Sequence, residues 1–190
     1  MKDYTKLPNT EVRRSDRAVE DEAWIRAQLH QAAVGVLATV HDDQPFLNSN
    51  LFVYDEAAQA IYMHTARVGR TAANLASEAK ICFTIFEMGR LLPADEALEF
   101  SVEYSGVTVF GTGTTVTDPV EAKHGLQLLL DKYAPHLRPD VHYRGITPEE
   151  MKRTAVYRLN IHEWSGKKKE VAADFPGAFF YGQGPGNGDR

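Results

Sequence analysis

The sequence predicts an all-β-dominated domain, a closed or nearly closed barrel with helices at its periphery. Three observations carry this. Apolar, β-branched runs follow one another with little but turns between them, which suits antiparallel pairing. Helix-type patterns between the strands are too few to cover a parallel sheet. A long run over 99–117 contains Gly106, Gly111 and Gly113, and glycines inside a strand mark bends, bulges and close approach. No internal repeat is present.

The elements follow in order. Residues 1–17 are polar and charged and read as an extended arm. A first helix is expected over 19–31, with Ile25, Leu29 and Ala32 on one stripe and Trp24 flanking it. Glu20, Asp21 and Glu22 fall in its first turn, where the helix dipole favours acids. Val34-Gly-Val-Leu-Ala-Thr-Val40 reads as a buried strand, and 46–54 as a second strand with a polar centre at Asn48, Ser49 and Asn50. Such a centre suits a strand that lines a polar ligand. A third strand covers 60–65 and a fourth 80–87, with an irregular connection over 88–97.

After the glycine-rich run, Asp118 and Pro119 offer an N-cap and a first-position proline. The helix they open carries Ala122, Leu126, Leu129, Leu130 and Tyr133 on its apolar side. Thr147-Pro-Glu-Glu150 has capping-box chemistry for a short helix. The final strand, 155–164, alternates. Val156, Arg158, Asn160 and His162 share one face, and Tyr157, Leu159 and Ile161 the other, with a break before Trp164. The domain is expected over 18–166, followed by a C-terminal extension over 167–190 that contains a lysine run and a glycine-rich end.

Bulk properties exclude some classes. The 190 residues suffice for one domain with a sizeable core. A hydrophobic fraction of 43% and a charged fraction of 25% are those of a globular protein. The net charge of −5 argues against a nucleic-acid or anionic-membrane binder, since both need basic fields. Cys82 is the single cysteine, so no internal disulfide forms, and a buried hydrophobic role is expected for it. No apolar segment reads as a signal peptide or a membrane span. A cytoplasmic location is expected. His136 and His142 match no zinc spacing, and no metal is expected.

The stretch from Ile61 to Leu75 carries the chemistry. An apolar strand ends at His64 and Thr65, turns through Arg67-Val-Gly-Arg70, and continues with helical character. Free N–H groups at a helix start, the helix dipole and Arg70 together make a place for an anion such as a phosphate. Arg67 is expected to be solvent-exposed. His64 stands beside this turn, and imidazole exchanges protons near neutral pH.

Four segments now carry a resemblance. They are Val34-Gly-Val-Leu-Ala-Thr-Val40, Tyr62-Met-His-Thr-Ala-Arg-Val-Gly-Arg-Thr-Ala-Ala-Asn74, Leu98-Glu-Phe-Ser-Val-Glu-Tyr-Ser-Gly-Val-Thr-Val-Phe-Gly-Thr112 and Lys152-Arg-Thr-Ala-Val-Tyr-Arg-Leu-Asn-Ile-His-Glu-Trp-Ser-Gly-Lys167. In this order the chain resembles the split-barrel flavin proteins related to pyridoxamine 5′-phosphate oxidase, and within them the branch named for 5-nitroimidazole resistance. The resemblance implies a six-stranded Greek-key split β-barrel and a homodimer with FMN at the subunit interface. It implies phosphate contacts at His64, Thr65, Gly69 and Arg70. The second strand, with Asn48, Asn50 and Leu51, would run along the flavin ring, with the two asparagines facing it in preference to Ser49. His64 matches the active-site histidine of the nitroimidazole branch.

One departure matters. The arginine-rich last strand of the true oxidases is replaced by Trp164-Ser-Gly-Lys167, which disfavours pyridoxamine phosphate as substrate. The function implied is an FMN-dependent oxidoreductase acting on a small molecule, a nitroreductase of the resistance type. The alternatives are a flavin- or haem-binding module without strong turnover, and an activity like that of pyridoxamine 5′-phosphate oxidase.

Overall fold

The computed structural model describes residues 3–183. Eight strands form one antiparallel sheet: β1 (Ala18–Val19), β2 (Gly35–His41), β3 (Gln44–Asn50), β4 (Val53–Asp55), β5 (Ala60–Ala66), β6 (Lys80–Leu92), β7 (Ser101–Thr115) and β8 (Thr154–Lys169). Four helices accompany it: α1 (Glu22–Gln31), α2 (Arg70–Ser77), α3 (Pro119–Tyr133) and α4 (Pro148–Met151). The strand order is β3-β2-β6-β7-β8-β5-β4, with β1 on β8. The two ends of this order are consecutive in the chain and are joined only by Leu51 and Phe52. The sheet therefore curls into a split barrel that does not close.

Eight strands replace the expected six for two physical reasons. The expected second strand, 46–54, breaks at Leu51 and Phe52. Its first half pairs with β2 and its second with β5. The two-residue β1 comes from the start of the expected first helix: Ala18 and Val19 pair with Lys167 and Gly166. Helix α1 then begins at Glu22, because the Asp21 carboxylate caps it by accepting from the N–H groups of Ala23 and Trp24.

Two strands run further than expected. β6 continues to Leu92 through a register shift between Met88 and Leu91. β8 continues to Lys169, past the expected domain boundary at 166. Lys168 and Lys169 are half-buried strand residues, and the Lys169 ammonium donates to the Ser101 hydroxyl. The break in the β8 alternation is a bulge: Phe110 opposes Glu163 and Gly111 opposes Ile161, which leaves His162 as the extra residue. Residues 184–190, most of the glycine-rich end, lie outside the described residues. Cys82 is half-buried, and burial pushes its thiol pKa up.

The core has two layers. Leu37, Phe52, Met63, Phe83, Val109 and Tyr157 fill the barrel interior, with Ile25 and Leu29 of α1 and Leu75 of α2 packed against them. On the outer face, Val53, Ala60, Tyr62 and Val156 meet Leu129 of α3. Asp118 and Pro119 open α3 as their residue types dictate. Gly125 lets it approach, since a Cβ there would lie 2.8 Å from the Tyr62 ring. The Tyr62 hydroxyl donates to Glu121 at 2.9 Å, and Arg158 reaches the same carboxylate at 3.0 Å. Burial, and then that carboxylate, push the Tyr62 pKa up to about 12. Among the described residues, no helix is long and apolar enough to cross a membrane.

The last turn of α3 holds the split. The Tyr133 hydroxyl accepts from the Phe52 N–H at 3.0 Å, with the carbonyls of Phe52 at 2.9 Å and Ala33 at 2.7 Å as its acceptors. The neighbouring Lys132 ammonium donates to the Ala32 carbonyl at 2.8 Å and sits 3.9 Å from the Phe52 ring centre. Burial brings the Lys132 pKa down to about 8.

A second clamp secures the segment after β8. Arg90 and Glu103 form a two-pronged ion pair at 2.7 and 2.8 Å. Arg90 also donates to the Ala172 and Ala173 carbonyls, while Glu103 accepts from the Val171 N–H at 2.9 Å. Leu91 and Phe179 complete it with a bridge of two backbone bonds.

Two outcomes are expected. Tyr133→Phe leaves backbone groups of Phe52 unsatisfied and lowers stability by about 1–3 kcal/mol, read from the urea midpoint; an unchanged midpoint overturns the stapling role. The Arg90 pairing, followed by the Val171 N–H, brings the Glu103 pKa down to about 2 from 4.5. Its folded pKa is depressed, so the stabilisation is complete above pH 4.5 and is lost as pH falls towards 2. Glu103→Gln should flatten stability across that window; an unchanged acid limb would contradict it.

Candidate functional site

The end of β5, the turn after it and the edge strand β3 enclose an open groove of about 370 Å³. Its lining comes from Phe46, Asn48, Ser49 and Asn50 on β3, His64 to Ala66 on β5, the turn at Val68 and Gly69, and the start of α2. No carboxylate lines it. Gly69 is the N-cap of α2, at φ 151° and ψ 176°, a backbone that L side chains rarely adopt. No side chain caps this helix. Its first bond runs from the Ala73 N–H to the Gly69 carbonyl at 3.1 Å, so the N–H groups ahead of Ala73 have no partner within the helix. Arg70 is exposed, and among the described residues its guanidinium makes no hydrogen bond or ion pair.

The asparagines act first as struts. Asn48 donates to the Thr71 hydroxyl at 3.2 Å and ties β3 to α2. Asn50 donates to the His64 carbonyl at 2.9 Å and accepts from the Leu51 N–H at 2.8 Å, bridging the split. Ser49, passed over in the sequence reading, lines the groove as well, because β3 is an edge strand with both faces accessible. Thr65 is half-buried. Its hydroxyl lies 3.2 Å from the Tyr157 hydroxyl and 2.9 Å from the Ala66 carbonyl.

Six of the seven expected residues thus line one groove: Asn48, Asn50, His64, Thr65, Gly69 and Arg70. Leu51 does not. It sits at the strand break and lines a separate apolar pocket of about 390 Å³, with Leu126, Leu129 and Tyr133 of α3 and Ile146 of the following loop. His64 belongs to both spaces. It shares the outer face of β5 with Tyr62, beneath α3, while its carbonyl is held by Asn50. Among the described residues its ring makes no hydrogen bond.

A third space, of about 520 Å³, lies at the same end of the barrel on the α4 side of α2. Arg67, Ala72, Pro119, Ala122 and Met151 are among its lining residues. Arg67 is exposed, as expected, but it is held in place: its guanidinium donates to the Lys152 carbonyl at 3.0 Å. Sequence reasoning missed both side pockets, since their walls come from α3, α4 and the loop between them. Glu103, Tyr104 and Trp164 lie outside the groove. Glu103 serves the Arg90 clamp, Tyr104 stacks on Phe86 and Trp164 packs beside Tyr54.

The comparisons agree with this architecture. No curated protein matches the sequence. Among solved structures, the chain is similar to the flavocytochrome Anf3 from Azotobacter vinelandii (24% identity, TM-score 0.75, covering 87% of this chain and 75% of that one). It is similar to a FAD- and haem-binding protein from Mycobacterium smegmatis (21%, TM-score 0.71, 83% and 76%). It is also similar to a candidate 5-nitroimidazole antibiotic resistance protein from Bacteroides thetaiotaomicron (16%, TM-score 0.67, 80% and 90%). At these identities the likeness shows the fold. The family model described as pyridoxamine 5′-phosphate oxidase matches residues 21–168, from the cap of α1 to within one residue of the end of β8. With strands β2 to β7 and all but the last residue of β8 inside that match, the chain belongs to the pyridoxamine 5′-phosphate oxidase family.

Proposed function

We propose that this chain is a flavin-dependent oxidoreductase whose groove holds the FMN unit and whose substrate is a small nitroaromatic compound. The observation that carries the reading is the start of α2. An uncapped helix end, a glycine N-cap and an unpaired Arg70 converge at a groove without carboxylates. Those donors suit a dianionic phosphate, and Arg70 adds a charge-assisted pair worth about 1.5–3 kcal/mol. The ring would lie along β3, beside Asn48 and Asn50.

When bound, the flavin supplies the electron transfer. The protein contributes position and a proton. Asn48 and Asn50 fix β3 against α2 and β5, which sets the groove width. Thr71 and Thr65 are buried or half-buried and hold the groove floor. His64, with a free imidazole, is the group able to deliver a proton to a reduced acceptor. The name of the Bacteroides relative supports the nitroaromatic class. Phe46 and Leu47 beside the groove and Phe86 and Met88 on β6 are exposed, and they offer apolar surface to a second copy of the chain in a homodimer.

A second reading has its own observation. The His64 ring opens onto the apolar pocket under α3, and an unpaired imidazole in an apolar pocket suits a haem iron. The names of the Azotobacter and Mycobacterium relatives support this.

Two experiments test these readings. In a flavin titration, Arg70→Ala is expected to weaken FMN binding about tenfold or more; unchanged affinity removes the phosphate site. His64→Ala is expected to keep flavin affinity and to slow reoxidation of the reduced protein by a nitroimidazole about 10²-fold under anaerobic conditions. If reoxidation is unchanged and haem added to the wild type gives a Soret band that His64→Ala abolishes, the haem reading replaces the proton role.

A further inference from the structure

We propose that the apolar pocket beneath α3 is the electron-acceptor site, and that it takes an uncharged aromatic ring whose nitro group lies between His64 and Thr154. The proposal rests on the flavin reading of the groove and adds where the second substrate lies, what charge it carries and which residue positions it.

The pocket presents few free polar groups. The Tyr133 hydroxyl is engaged at the Phe52 backbone and the Ala33 carbonyl, so this residue offers only its ring. The Tyr143 hydroxyl accepts from the Gln127 side-chain amide at 3.1 Å. Arg144 and Glu150 neutralise each other at 2.7 Å. The His64 ring and the Thr154 hydroxyl make no hydrogen bond among the described residues. The strand register brings these two together. His64 opposes Val156 and Ala66 opposes Thr154, so His64 and Thr154 are diagonal neighbours on one face of the sheet. Such positions stand roughly 7–8 Å apart, close enough for both side chains to reach one small group between them.

Those two groups select a ligand. A threonine hydroxyl donates one hydrogen bond and a neutral imidazole donates another. A nitro group has two acceptor oxygens, no donor and no net charge. A carboxylate has the same outline, but its charge would enter an apolar space without a free cation, at a desolvation cost that an uncharged group avoids. Leu126, Leu129, Leu130 and Ile146 surround the rest of the ligand with apolar surface. The volume of about 390 Å³ lies at the low end of the roughly 300–1,000 Å³ usual for small-molecule sites, which fits a single ring with a short substituent.

The walls are set before a ligand arrives. The Asp140 N–H donates to the Tyr143 carbonyl at 2.7 Å, and with the Gln127 and Glu150 contacts this pins the loop after α3 at Tyr143 and Arg144. Helix α3 is itself fixed at the split and on Tyr62 of β5. His64 lines both the pocket and the groove, whereas Thr154 lines the pocket and not the groove. A nitro group held between them stands at the edge of the flavin groove with its ring beneath α3. Cofactor and acceptor then occupy adjoining spaces and do not compete.

The test is equilibrium dialysis of 4-nitrotoluene and 4-nitrobenzoate against the full chain, with an FMN titration on the same samples. Nitrotoluene is expected to bind the wild type about tenfold or more tightly than nitrobenzoate. Leu130 is partly exposed, so Leu130→Trp fills the pocket from its rim and should weaken nitrotoluene binding about tenfold. Thr154→Val, which removes the hydroxyl, should weaken it about three- to tenfold, and Thr154→Ser should keep it. FMN affinity should stay within about twofold in all three variants. Nitrobenzoate binding as tightly as nitrotoluene overturns the proposal, a comparison that needs no variant. So does nitrotoluene binding that neither Leu130→Trp nor Thr154→Val affects. Failure of FMN to bind, with nitrotoluene still bound and still sensitive to both variants, overturns the groove reading and leaves the ring-binding pocket in place.

Discussion

The Tyr133 hydroxyl at the Phe52 backbone is the contact on which the rest of the structure depends. Phe52 lies between β3 and β4, where the chain leaves one end of the curled sheet and joins the other. Its side chain is fully buried, and its N–H and C=O belong to neither ladder. Buried backbone groups need partners. One phenolic oxygen from the last turn of α3 serves both groups, and Lys132 beside it binds the carbonyl end of α1. The split barrel is thus held open at a defined width by side chains, where a closed barrel would use a strand ladder. That gap frees the edge of β3 to stand beside α2, and the groove exists because of it.

The anchoring of α3 has a further effect. Its last turn is fixed at the split, and Glu121 near its start is fixed on Tyr62 and Arg158. The helix therefore lies firmly over the outer face of β5. It roofs the apolar pocket beside His64, and its first turn forms a wall of the cavity beside Arg67. Both spaces walled by α3 take their shape from the same two attachments.

Local chemistry was legible in the sequence and distant partners were not. Asp118 with Pro119 and Thr147 with Glu150 announced helix starts that form as read. The apolar stripe through Leu126 and Leu129, the alternation of β8 and the turn at Gly69 depend on neighbours a few residues away, and these too were readable. The break at Leu51 was invisible, because its compensation comes from Tyr133, about eighty residues on. The extension of β8 to Lys169 was masked by a lysine run that resembles a solvated face, yet it pairs with β1 and β7. For the site, the strand end and turn placed His64, Thr65, Gly69 and Arg70 together. Leu51 lines the neighbouring pocket because of the unseen break, and the Lys152 carbonyl that holds Arg67 lies 85 residues further along the chain.

His64 shows how one position comes to serve two spaces. Along β5, Tyr62 and His64 face α3, while Met63 and Thr65 face the interior. An interior-facing residue at position 64 would meet the core, and one further along would meet the turn. At this position the backbone carbonyl receives Asn50 across the split and the ring stands at the junction of groove and pocket. A shift of β5 by one residue would bury the imidazole and expose Thr65 to α3, since strand faces alternate with every residue. The register of β5 on β8, from Ala60 opposite Asn160 to Ala66 opposite Thr154, is therefore what leaves this imidazole open to both spaces.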